Sequence, residues 1–264
     1  MKLKRFLSIH RRLIRILLVV LIAAFNFIMY HYNPDISIIL LILIDVVFVI
    51  ATSLLLYRCF ASLFSKPIAE LNNKCNPYPL IEECEKHLNA NYSTIERFVL
   101  FVNYSAALKS AGQYEKALNV LLSIDIEQDA MKNFQHFKAA YYYRLFDLCE
   151  ILKKKAQADF AYAKFTELIP QIKNEKYKKT VEIEIANAKV LDAYRRGDYQ
   201  TVVELLDGSA SNIFSSQVYS ALTCAKAYIE LGKTEKARGK LEYVIENGNK
   251  MNCVAEAQEL LNKI

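Results

Sequence analysis

Apolar residues run almost unbroken from Leu13 to Tyr30 and again from Ile36 to Tyr57, with a short polar stretch between them. From Arg58 onward they recur at every third or fourth position instead. The first pattern predicts helices that are apolar all round, the second amphipathic helices that bury one face. A spanning helix needs about 20 mostly apolar residues, because the hydrocarbon core is about 30 Å thick and each helical residue rises about 1.5 Å. Ile36 to Tyr57 meets that length; the first stretch meets it when Leu13 and Ile14 are buried and Arg15 carries its charge back to the interface. The chain therefore reads as all-α: a basic tail and two-helix transmembrane hairpin over 1–57, a juxtamembrane helix and linker over 58–92, and a helical repeat domain over 93–264.

The connection His31-Tyr32-Asn33-Pro34-Asp35 carries no Lys or Arg, whereas Lys2, Lys4, Arg5, Arg11, Arg12 and Arg15 precede the first stretch and Arg58, Lys66 and Lys74 follow the second. The positive-inside bias then puts an integral membrane protein in the bilayer with both termini cytoplasmic. The compact anchor and Lys-rich composition are compatible with a bacterial plasma membrane. The other reading of the N-terminus is a cleaved signal peptide of about 24 residues, with small residues at Ala23 and Ala24; against it, the apolar run continues through Phe25, Phe27 and Ile28. On that reading Ile36 to Tyr57 is a stop-transfer segment.

Asp45 lies well inside the second span, where an ionised carboxylate is costly unless paired or protonated. Three roles are open to it: a protonated side chain that hydrogen-bonds Asn26 of the first span or a second copy of the chain, recognition of a membrane partner, or no specific role. Counted from a turn at Asn33 and Pro34, Asn26 and Asp45 differ in depth by about one helical turn, about 5.4 Å, so their pairing is possible but not aligned.

Charge changes the picture little. The net charge of +6 is a feature of the tail: setting aside the six basic residues before the first span, together with Asp35 and Asp45, leaves 28 basic against 26 acidic residues. That balance argues against a nucleic-acid binder, which carries a concentrated basic face. Cys59, Cys75, Cys84, Cys149, Cys224 and Cys253 form no close pair, so neither a zinc ribbon nor a redox dithiol is visible, and Cys84 with His87 is two ligands short of a metal site. Lys153-Lys154-Lys155 and Lys176 to Lys179 read as solvated helix ends, and His136 as a packed or surface residue. No P-loop, dinucleotide turn or zincin helix is present. The chain is expected to be no enzyme, with no catalytic residue, cofactor or metal.

Beyond the membrane, Phe60, Leu63, Phe64, Ile68 and Leu71 continue the second span as an amphipathic helix, with a bend or restart at Pro67. Asn72 to Pro79 reads as a linker, and Pro79 to about Asn89 as a short helix. Ser93-Thr94-Ile95-Glu96 has capping-box spacing and predicts a long helix from Thr94 to Ala111-Gly112. The string Gly112-Gln113-Tyr114-Glu115-Lys116-Ala117-Leu118 then recurs from Gly197 and from Gly232, with a weaker copy at Ala156 to Ala161. Turns at 112, 156, 197 and 232 are 44, 41 and 35 residues apart, a period of stacked helical hairpins.

These residues resemble the tetratricopeptide repeat (TPR) family. Ser105, Gly112, Tyr114, Ala117, Leu121 and Ile124 follow its consensus, as do Ala225, Gly232, Ala237, Leu241 and Val244; Cys149, Ala161, Phe165 and Leu168 form a copy without its turn glycine. In the copy around Gly197, Tyr199, Val202 and Leu206, the first helix looks one residue out of phase, with Val190, Leu191 and Tyr194 at the buried positions. Cys253 to Leu261 reads as a capping helix. The resemblance implies a TPR-like α-solenoid of helical hairpins that takes a peptide or helix of another protein in a concave groove. On the family's pattern the groove is lined by Val102, Asn103, Lys109, Tyr143, Asp147, Glu150, Lys153, Tyr219, Thr223, Lys226 and Glu230. The family's carboxylate clamp is missing, since Val102, Ala106, Asp147, Glu184 and Ala188 stand at the matching positions. The expected function is a membrane-anchored interaction scaffold; the alternative is a regulatory or assembly subunit that associates laterally through the hairpin, by Asp45 and Asn26, with another membrane protein or a second copy.

Overall fold

The computed structural model describes residues 6–7, 10–33, 35–207 and 211–264. Lys2, Lys4, Arg5 and Pro34 lie outside the described residues, as do the side chains of Arg11 and Arg12. Among the described residues the chain is all-helical, without strands: α1 (Arg11–Tyr32), α2 (Ile38–Lys74), α3 (Tyr78–Glu85), α4 (Thr94–Ser110), α5 (Tyr114–Leu122), α6 (Gln135–Ile151), α7 (Lys155–Leu168), α8 (Glu175–Arg195), α9 (Tyr199–Asp207), α10 (Phe214–Glu230), α11 (Thr234–Asn247) and α12 (Cys253–Leu261). The chain divides into one unit of 1–66 and 85–93 and a second of 67–84 and 94–264.

In the first unit, α1 and α2 are each long and apolar enough to cross a membrane. Their apolar side chains point outward: Val19, Leu21, Phe27, Ile39 and Val47 are all exposed. A surface of this kind is stable only against lipid or another apolar partner. The part of α2 beyond the apolar stretch behaves differently. Phe60, Leu63 and Phe64 are buried, with the Phe60 ring 4.9 Å from Tyr92 and Phe64 5.5 Å from His87.

The second unit is built of neighbouring helix pairs, α4 with α5, α6 with α7, α8 with α9 and α10 with α11, and α12 packs on α11. Small residues let the paired backbones approach. Ser105 of α4 is buried and its hydroxyl donates to the Ala117 carbonyl of α5 at 2.9 Å. Each pair is joined by the same device: a residue of positive φ at Gly112, Lys153, Gly197 and Gly232. The next residue's N–H returns to a carbonyl five positions earlier, Gln113 to Leu108, Lys154 to Cys149, Asp198 to Ala193 and Lys233 to Tyr228. These are helix ends closed in the left-handed conformation, where glycine carries no Cβ penalty.

Three expectations are corrected. The second turn falls at Lys153, not Ala156, so a lysine occupies the left-handed position at φ 56°, and the residue five on is the buried Ala158 rather than Ala161. In α8 neither register is followed throughout: Val190 and Ala193 are buried, Leu191 and Tyr194 half-buried and Lys189 exposed, so Ala193 rather than Tyr194 takes the last buried place. Finally α2 continues through Pro67 to Lys74, which leaves 75–77 as the connection to α3. Proline lacks the N–H that would return to the Leu63 carbonyl, and in the preceding turn Ser62 and Ser65 donate their hydroxyls to the Cys59 and Ser62 carbonyls.

Candidate functional site

Two groups of sequence-expected residues come together, one in each unit. In the hairpin, α1 supplies Asn26 and α2 supplies Asp45, and Asn26 Nδ2 donates to Asp45 Oδ2 at 2.8 Å. The two side chains are therefore level, where counting from the turn had them a helical turn apart. The remaining oxygens, Asn26 Oδ1 and Asp45 Oδ1, are buried without a partner. Every residue flanking the pair, Phe25, Phe27, Ile44 and Val46, is apolar.

In the second unit, the first helices of the pairs bring Lys109 (α4), Asp147 (α6) and Tyr219 (α10) to one place. Lys109 Nζ pairs with Asp147 Oδ2 and lies 5.1 Å from the centre of the Tyr219 ring. Its charge is thus shared between a carboxylate and an aromatic face. Tyr143 and Tyr219 are half-buried as residues, but their hydroxyls are enclosed. Burial, and next the Asp147 carboxylate, holds the Tyr143 hydroxyl well above the ordinary phenol range. The Tyr219 hydroxyl is raised first by burial, against a hydrogen bond with Ser110 that opposes the shift. Both phenols remain neutral donors throughout the physiological range.

The other expected groove residues are also engaged from within. Lys226 pairs with Glu256 of α12 at 2.5 Å, Glu150 with Arg195 of α8 at 3.6 Å, and the Thr223 hydroxyl donates to its own helix at the Tyr219 carbonyl, 3.1 Å away. Asn103 is half-buried, Lys153 and Glu230 are exposed, and Val102 is buried. Charge on this face is mostly spent on internal pairs.

Sequence reasoning missed several residues here. Arg144 Nε on α6 and Glu184 Oε2 on α8 are buried polar atoms without hydrogen-bond partners. Asn252, before α12, donates its N–H to the Ser110 carbonyl at 2.8 Å and its amide to the Tyr114 hydroxyl at 3.0 Å. Asn249 donates to the Lys74 carbonyl at 2.6 Å. These contacts span more than a hundred residues of sequence and had no local signal. His136 is buried and stacked 4.1 Å from Tyr177, and burial lowers its basicity. A cleft of about 570 Å³ opens between α10 and α11, lined by Gln217, Ser220, Cys224, Lys236 and Lys240. All six cysteines are buried and free, and among the described residues no three His, Cys, Asp or Glu side chains converge as metal ligands.

Comparison with models of known families, with curated proteins and with solved structures finds no match to this chain.

Proposed function

We propose that the chain is a membrane-anchored scaffold: a two-span hairpin with both termini cytoplasmic, carrying a TPR-like array whose inner face takes a peptide or helix of another protein. The observation that carries this reading is the fourfold turn. Gly112, Lys153, Gly197 and Gly232 share one backbone conformation and one return hydrogen bond, and each is followed five residues later by a fully buried Ala117, Ala158, Val202 or Ala237. Turns of one conformation, each followed at the same distance by a buried Ala or Val, are what a stacked repeat requires. An array of this kind is ordered before its partner arrives, so little conformational entropy is lost on association.

A second reading is favoured by a different observation. Lys109, Glu150 and Lys226 already have internal partners, which leaves little free charge to recognise a peptide, whereas most of the hairpin's apolar side chains, Leu41 and Leu56 apart, are exposed. On this reading the repeats are structural and the spans associate laterally with another membrane protein. Crosslinking capture from intact membranes separates the two. Tyr219→Ala with Lys226→Glu abolishes capture if the inner face binds. Asp45→Leu abolishes it if the spans bind, and the first proposal fails if capture survives the inner-face double variant.

A further inference from the structure

The polar pair of the hairpin has one hydrogen-bonding place more than a carboxylate can fill. Asn26 Nδ2 donates to Asp45 Oδ2 at 2.8 Å, and the two atoms left over, Asn26 Oδ1 and Asp45 Oδ1, are buried and lack partners. An ionised carboxylate offers acceptors only, and an amide oxygen is an acceptor too. Two joined planar groups therefore each keep an idle oxygen, in surroundings where hydrocarbon supplies no water to satisfy it.

We propose that Asp45 is present as the neutral acid, with the proton on Oδ1 donated to Asn26 Oδ1, so that acid and amide close a ring of two reciprocal hydrogen bonds. One hydrogen satisfies both orphaned atoms and leaves the spans without net charge. No ionisable side chain other than Asp45 occurs between Ile16 and Tyr30 or between Ile36 and Tyr57, so nothing cationic on either helix is placed to hold a carboxylate. A metal cation in that place would need several more oxygens than these two, and the flanking Phe25, Phe27, Ile44 and Val46 supply none. The ligand of this site is a proton, and its product is an uncharged clip specific for one helix register. Asp45 is then consumed within the hairpin, and its loss acts on lateral capture through the helix register that the clip sets.

The inference rests on the bilayer placement proposed above, and the test keeps the two apart. The full chain in phospholipid vesicles is first floated on a density gradient; a chain that does not float overturns the placement and the clip with it. Infrared difference spectra of floated protein against Asp45→Asn then report the acid. The expected result is a carboxylic-acid carbonyl stretch that the variant lacks, and that moves when Asn26→Leu, or Asn26→Ala where leucine blocks insertion, removes the amide. Asp45→Asn itself floats as well as the parent, because two amides can close the same ring. Carboxylate bands in place of the acid band overturn the proposal. So does an acid band that the Asn26 variants leave unmoved.

Discussion

Val47 in the hairpin leaves 64% of its surface exposed, while Leu121 in the second unit leaves none. The two residues are equally oily, and the difference lies in what each is built to meet. Around Leu121, apolar side chains are gathered inward by small residues such as Ser105 and Ala117, which bring helices close enough for interdigitation. Around Val47 little is gathered; most apolar chains face outward, Leu41 and Leu56 being exceptions, and the polar pair, Asn26 and Asp45, faces inward. One unit is stabilised by taking oily surface out of water; the other, in the proposed bilayer placement, by keeping polar groups out of oil. This inversion can be attacked directly.

The largest effect is expected from truncation on each side. Leu121→Ala removes fully buried methyl groups and leaves a cavity, for a loss of about 3 kcal/mol. In the proposed bilayer Val47→Ala exchanges lipid contact for lipid contact and is expected within about 0.5 kcal/mol of the parent. Denaturant unfolding in detergent micelles checks both; comparable losses would mean that the hairpin is packed like a soluble core.

Next come the turns. Gly112 and Gly232 share positive φ, so alanine costs either about 1–2 kcal/mol in backbone strain. At Gly232 a Cβ meets open space, but at Gly112 it would lie 2.6 Å from Asn252 Cγ and Oδ1. Asn252 cannot easily yield, being tied to Ser110 and Tyr114, and crowding adds about 1–3 kcal/mol. Gly112→Ala is therefore expected to lower the melting temperature clearly more than Gly232→Ala. Equal effects would show that the Asn252 contact gives way freely.

What was legible in the sequence divides along the same line. The apolar stretches stood out because a helix that is apolar all round needs no partner to be recognised. The turns at 112, 197 and 232 stood out because glycine is the residue that enters the left-handed region freely; the turn at Lys153 did not, since a lysine there looks like any solvated helix end. Asn26 and Asp45 were conspicuous as polar residues in oil, although counting from the loop misjudged their level. The internal pairing of Lys109, Glu150 and Lys226 was hidden, because which partner a surface charge finds depends on the rotation between successive helix pairs. The same holds for Asn252 on Tyr114, which joins positions 138 residues apart.

A third effect concerns alkaline pH. Burial pushes the Cys224 thiol up to about 11 and Cys253 up to about 12. It likewise pushes Tyr142, Tyr194 and Tyr228 up to about 12. These groups keep their protons when folded and lose them more easily when unfolded. Their contribution is thus complete below the unfolded values, about 8.5 for Cys and about 10 for Tyr, and is lost as pH rises towards 11 and 12. The denaturation midpoint of the helical domain should fall from pH about 9 upward. Cys253→Ala should flatten the first part of that limb by about 2 kcal/mol between pH 9 and 11; an unchanged limb would mean that the thiol is not buried.

The smallest effect sets one aspartate against another. Asp207 at the end of α9 accepts from the Tyr228 hydroxyl at 2.8 Å and from Lys240 at 3.2 Å; the Tyr228 hydrogen bond, then Lys240, holds it below the usual carboxylate range. A carboxyl depressed on folding adds stability above its unfolded value, about 3.9, and loses it as pH falls through the folded value. Because 45% of the Asp207 side chain is open to water, screening keeps the contribution below about 1 kcal/mol. Asp207→Asn should therefore be slightly less stable than the parent at pH 7, and the two should converge once pH has fallen below both the unfolded and the lower folded value. The variant's acid limb should be shallower by that same small amount. Asp207 has water and a lysine beside it, so it can hold a full charge; Asp45 has one amide and, in the proposed bilayer, hydrocarbon. If the Asp207 and Asp45 amide variants responded alike to acid in floated vesicles, the contrast between a unit that accommodates charge and a hairpin that excludes it would collapse.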